Sequence, residues 1–113
     1  MTRPVVRRGL ADRDIADALA YYADTAGEAV ALRFVDSLHA AFAAIGRQPA
    51  AGSPRYAEEL GVHGLRSRRL ARFPFLVFYA DAGDRIEVWR VLHAQRDIPS
   101  AWSLDEPSAD LGG

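Results

Sequence analysis

The chain has no cysteine and no lysine, and only one methionine. Without cysteine there is no disulfide, no thiolate nucleophile and no Cys-based zinc site. Without lysine, all fourteen basic residues are arginine. Arginine stays charged and forks onto carboxylate or phosphate, whereas lysine is the one that burial can tune into a base. A compositional bias towards Arg and Ala is the plain explanation, but in either case any chemistry must proceed without lysine. Long apolar runs are also missing. No segment approaches the roughly 18 consecutive apolar residues of a membrane span, and the opening MTRPVVRRGLADRD lacks the apolar core of a signal peptide. The expectation is a soluble, cytoplasmic protein with no membrane association.

Chemical motifs are equally scarce. His39, His63 and His93 lie far apart without HxxxH spacing, so no metal is expected. There is no GxGxxG or GxxxxGK[ST] run, so no nucleotide or other cofactor is expected, and no GxSxG elbow presents a serine. Glu58-Glu59 reads most simply as a solvated pair. A net charge of -1 argues against direct nucleic-acid binding through bulk charge.

What is present is ordinary globular material: half the residues are apolar, and 113 residues suit one core. One domain over residues 1–102 is expected, with a polar tail over 103–113. Residues 4–10, PVVRRGL, read as a short opening strand. Asp12 is then a candidate N-cap, and Ile15, Leu19 and Tyr22 set a helical stripe that Gly27 closes. A second helical stripe runs through Ala31, Phe34, Val35, Leu38, Phe42 and Ile45 until Gly46 and Pro49 stop it. Two helices with almost no linker predict an antiparallel hairpin. Residues 50–61 carry loop chemistry.

From there the period changes to two, with a polar strand near 64–71, an apolar one at 74–80 and a third at 85–93. The turn Asp81-Ala82-Gly83-Asp84 joins the last two. Residues 97–102 suit a terminal helical turn. The order predicts an α+β domain: N-terminal strand, helical hairpin, three-stranded antiparallel meander and short C-terminal helical turn. The hairpin is expected to cover the sheet face of Leu76 and Phe78, leaving the opposite face, or the groove at its edge, open.

The stretch RIEVWRVLHAQRD at 85–97 breaks its own pattern. Ile86 and Val88 alternate with Glu87 and Trp89, yet Arg90 interrupts the apolar face, and His93, Arg96 and Asp97 follow. Arg66, Arg68, Arg69 and Arg72 crowd the preceding polar strand, with Arg66 and Arg68 on one face and Arg69 on the other. Strand pairing is expected to bring Arg90 towards them, with His93 and Arg96 at the rim. Such a cluster stabilises charge on a phosphodiester or receives acidic side chains of a protein partner. The bland alternative is a solvated face paired with Asp84, Glu87 and Asp97.

The run GLRSRRLARFPFLVFYADAGDRIEVWRVLHAQRD, residues 64–97, resembles the signature half of the RelE/ParE superfamily of type II toxin–antitoxin toxins. Its marks are the basic strand, the apolar strand ending in FYA, and the closing RVLHxxRD. The helical hairpin with its AYYAD stretch at 20–24 is similar too, so the resemblance covers about residues 4–102. It implies a growth-arresting, plasmid-stabilising toxin masked by a cognate antitoxin. ParE-type members poison DNA gyrase and block replication; RelE-type members cut mRNA on the ribosome. The near-neutral charge and the absence of tyrosine after Tyr79 favour the ParE-like branch, for which no catalytic residue is expected. In the nuclease alternative, Arg66, Arg68, Arg69, Arg90, His93 and Arg96 are the catalytic candidates. A non-toxic remnant that merely binds an antitoxin-like protein is the third possibility. Antitoxins of this family wrap an acidic, amphipathic segment around the toxin, and Tyr21, Tyr22, Phe34, Arg66, Arg68 and Arg69 are the expected contacts.

Overall fold

The structure, a computed structural model, describes residues 2–102; the expected tail at 103–113 lies outside them. Strand β1 (Val5–Arg7) leads into helix α1 (Gly9–Ala26) and helix α2 (Glu28–Arg47), followed by a single 3-10 turn at Pro49–Ala51 and helix α3 (Arg55–Leu60). Strands β2 (Arg66–Arg69), β3 (Phe75–Asp81) and β4 (Ile86–His93) follow, and helix α4 (Ile98–Ala101) ends the fold. The α+β architecture is the one the element order predicts. The sheet runs β1-β4-β3-β2. The meander is antiparallel, whereas β1 lies parallel to β4 with Val5 opposite Ile86 and Arg7 opposite Val88.

Gly27 closes α1 as expected: its φ of +95° lies in a region that favours glycine, and its amide donates to the Tyr22 carbonyl. Asp12 does not cap α1. The helix begins earlier, at Gly9, so Asp12 falls in its first turn and pairs with Arg7 at 2.6 Å. Nor does Gly46 stop α2. It is buried inside the helix, where a β-carbon would lie 2.8 Å from the Arg3 carbonyl oxygen, so its smallness lets the N-terminal segment lie close. Residues 50–61 are not a plain loop, since α3 forms there and Gly61 closes it in the left-handed region.

The expected core face is reversed. The helical hairpin covers Phe75, Val77 and Tyr79 together with Ile86, Val88 and Val91, and receives Phe34, Leu38 and Ile45 from α2. Leu76 and Phe78 face the other way. There they form a second core with Leu65, Leu92 and Ile98, roofed by Tyr56 of α3 and by Trp102 beyond α4. The face expected to be open is therefore covered. β3 is apolar at nearly every position, so alternation alone carries no information about which face meets the helices.

Helix α2 is long and apolar enough to cross a membrane by length and composition. Its apolar stripe of Ala31, Phe34, Leu38, Ala41 and Ile45 is instead buried within the domain.

Candidate functional site

The interruption at Arg90 has a backbone cause. Phe78 pairs with Arg90 and Tyr79 with Val88, so Trp89 is an extra residue and β4 carries a bulge. The bulge resets the alternation, so that Val88 and Val91 both enter the hairpin-side core although three positions apart. It also sits just past the end of β1. Among the described residues no strand lies beside the outer edge of β4 beyond Val88, and Asp14 of α1 fills the gap. The Val91 amide donates to Asp14 Oδ2 at 2.9 Å, where a neighbouring strand's carbonyl would otherwise accept.

Arg90 donates to the same carboxylate through two nitrogens, Nε to Oδ2 at 2.8 Å and Nη2 to Oδ1 at 2.9 Å. Its Nη1 reaches the Ala101 carbonyl at 3.4 Å. Only 10% and 12% of the two side chains are exposed, so the pair is largely withdrawn from water. Charge-assisted, two-pronged bonds of this kind fix orientation as well as adding energy. Arg90 thereby ties α1, β4 and α4 together.

Beside this clasp, an open groove of about 520 Å³ runs between α1 and the end of β4. Asp14 and Asp17 line one end, with Tyr21, Tyr22, His93 and Arg96 along it. Tyr21 is 61% exposed. Tyr22 is half-buried, its ring 5.2 Å from Phe73 and 5.3 Å from Phe34. Burial pushes its phenol above the ordinary value, as does, to a lesser extent, the neighbouring Tyr21. The His93 ring meets Phe75 edge-on at 5.1 Å, and its Nδ1 accepts the Gln95 amide. Arg96 is exposed at the rim.

The arginine strand lies elsewhere. β3 separates β2 from β4, so Arg90 does not join Arg66, Arg68 and Arg69, and neither His93 nor Arg96 shares a groove with them. Arg66 and Arg68 stand opposite Tyr79 and Val77, on the hairpin side, while Arg69 stands opposite Leu76 on the other. Arg66 donates to the Gly52 carbonyl at 2.7 Å. Arg68 and Arg69 make no ion pair among the described residues. The acids expected to neutralise the arginine strand are committed elsewhere: Asp84 and Glu87 to Arg85, and Asp97 to the start of α4 through Ser100. Phe34 is wholly buried among aromatic rings and offers no surface to a partner.

Beneath the arginine strand lies Tyr79, a residue whose role sequence reasoning missed. It is almost wholly buried, and its hydroxyl donates to the Pro49 carbonyl at 2.6 Å. Burial raises its pKa, opposed by a backbone hydrogen bond at Gly52 and by the charges of Arg66 and Arg68. It stays a neutral donor, committed inward. Gly52 is required by this packing, because a β-carbon there would meet the Tyr79 ring carbon Cζ at 2.9 Å. Asp14 was missed as well. A buried Arg90 demands an acid, but nothing local distinguishes Asp14 from Asp12 or Asp17.

The family model described as "ParE toxin of type II toxin-antitoxin system, parDE" matches residues 5–98. A solved chain of the chromosomal ParDE TA system from P. aeruginosa has the same fold, with a TM-score of 0.70 at 21% identity, covering 83% of this chain and 98% of that one. No curated protein matches.

Proposed function

This chain belongs to the ParE toxin family of type II toxin–antitoxin systems, and from that premise we propose that it poisons DNA gyrase in the cytoplasm, blocks replication and is neutralised by a cognate antitoxin. The observation that carries the reading is the family match over residues 5–98, which spans the opening strand, the helical hairpin and the whole sheet.

The arrangement of side chains supports a binding role over hydrolysis. Cleavage of RNA through its 2′-hydroxyl needs a general base and a general acid within hydrogen-bond reach of one phosphate. Here Arg90 is occupied by Asp14, the Tyr79 hydroxyl is turned inward to Pro49, and His93 belongs to a different groove from β2. The RelE-like nuclease reading thus lacks a converged site in this conformation.

For the antitoxin, two surfaces suit an acidic, amphipathic segment. The groove beside α1 offers the exposed Tyr21 ring for side-chain packing of an amphipathic segment. The β2 region offers Arg68 and Arg69 to carboxylates.

The test is purified protein incubated with gyrase and supercoiled plasmid. Gyrase poisoning predicts trapped cleavage complexes or lost supercoiling at micromolar protein. Unchanged gyrase activity, with new mRNA 5′ ends after induction, would transfer the protein to the nuclease branch. Normal growth without the antitoxin would identify a remnant that only binds.

A further inference from the structure

The turn between β2 and β3 holds one residue in a conformation that its side chain disfavours. Arg72 has a φ of +70°, and no other non-glycine among the described residues has a positive φ. Glycine enters that region without steric cost, whereas an arginine there is strained. Such strain persists where surrounding contacts enforce it, and it gathers at sites of function. Here the Ser37 hydroxyl of α2 donates to the Ala71 carbonyl at 2.7 Å, and the Leu70 amide donates to the Phe75 carbonyl at 2.9 Å across the turn.

The turn is thereby held against α2, and the exposed Arg72 shares a groove of about 530 Å³ with the exposed Arg33. A smaller groove of about 160 Å³ adjoins it through Ser37 and Ala71 and carries Arg68 and Arg69. None of these four arginines has an ion pair among the described residues, and Asp36 is the one acid lining either groove. Between the arginines the surface is made of the small residues Ser37, Ala40 and Ala71. Small residues let a phosphate backbone approach closely, but they give no socket to the large anchoring side chains on which protein partners depend. Phe73, the one large apolar side chain there, is packed on Tyr22 and Phe34. A net charge of -1 weighs against binding by bulk charge and has no bearing on a local cluster.

We propose that Arg33, Arg68, Arg69 and Arg72 form a track for the phosphate backbone of duplex DNA. The choice of duplex DNA rests on the gyrase reading, because the toxin would then touch the DNA that gyrase holds as well as the enzyme. Contacts to phosphate carry no base preference, so binding is independent of sequence. Carboxylates of an antitoxin reaching Arg68 and Arg69 would compete there, which leaves Arg33 and Arg72 as the residues to test.

Fluorescence anisotropy of two short labelled duplexes of unrelated sequence, with the full-length protein, makes the test. Both should bind equally, with a Kd of about 1–100 µM. Arg33→Gln/Arg72→Gln should weaken both by about tenfold and make the dependence of log Kd on log salt shallower by about 2. Arg13→Gln/Arg47→Gln removes the same charge from exposed positions outside both grooves, and it should bind within about twofold of the parent. Equal weakening in the two variants, tighter binding of a poly-glutamate peptide than of the duplex, or no binding at about 100 µM protein would overturn the track. Gyrase poisoning without any DNA binding by the toxin would also sink it while leaving the gyrase reading intact. DNA binding through Arg33 and Arg72 without any effect on gyrase would do the reverse.

Discussion

The Arg90 guanidinium and the Asp14 carboxylate meet in a two-pronged ion pair at 2.8 and 2.9 Å, and the same carboxylate accepts the Val91 amide. Three donors therefore converge on one acid, at the point where β1 has ended and β4 continues with β3 on its other side. An arginine in an apolar strand is thus a means of finishing a sheet edge with a side chain.

Removing one member strands the other in a nearly dry position. Asp14→Ala should lower unfolding free energy by about 3 kcal/mol, the low end of what breaking a buried pair costs. Arg90→Lys should recover only part of that stability, since an ammonium cannot fork onto both carboxylate oxygens. The Asp14→Leu/Arg90→Met double variant should be markedly more stable than Asp14→Ala. Urea unfolding measures all three, and an Asp14→Ala loss within 0.5 kcal/mol or so, as for a surface change, would contradict the clasp.

Tyr21 and Phe34 should separate stability from binding. Phe34→Ala removes a wholly buried ring and should cost about 3–5 kcal/mol. Tyr21→Ala, at an exposed position, should stay within roughly 0.5 kcal/mol of the parent. If the α1 groove receives the antitoxin, the same Tyr21 change should accelerate dissociation of the complex in surface-binding kinetics. Unaltered kinetics would move the contact elsewhere.

Tyr79 should make the protein sensitive to alkali. Its folded pKa lies above the ordinary tyrosine value of about 10. The stabilising contribution is therefore complete below pH of about 10 and is lost as pH rises towards the folded value. The urea midpoint should fall through that range. Tyr79→Phe should flatten the fall while costing about 1 kcal/mol at neutral pH for the lost bond to Pro49. An equally steep alkaline fall in the variant would assign the effect to other groups, Tyr22 among them.

Two glycines should resist enlargement because of packing. Gly52→Ala drives a methyl group against the Tyr79 ring and the Ser67 carbonyl, and Gly46→Ala drives one against the Arg3 carbonyl. Each should destabilise by about 1–3 kcal/mol. Gly61→Ala, with open space around its β-carbon, should be destabilising through its left-handed φ of +68° alone. Thermal melting compares them directly. A Gly52→Ala variant as stable as the parent would mean that Tyr79 does not sit over that backbone.

The sequence by itself determined the periodic elements: two helical stripes split by Gly27, three strands in meander order and a terminal turn. Each depends on residues close in the chain, and side-chain period is a local property. The crowding of arginine in β2 was also legible, but that Asp84, Glu87 and Asp97 are engaged elsewhere emerged only from the structure. Three further features were decided only by the tertiary structure. The parallel seating of β1 on β4 joins residues some eighty positions apart. The choice of sheet face arose because β3 is apolar on both sides and local alternation could not rank them. The pairing of Arg90 with Asp14 required the bulge at Trp89 and the early end of β1, which together turn a guanidinium towards the first helix. A buried charge announces that it needs a counter-charge, but only packing in three dimensions selects which one.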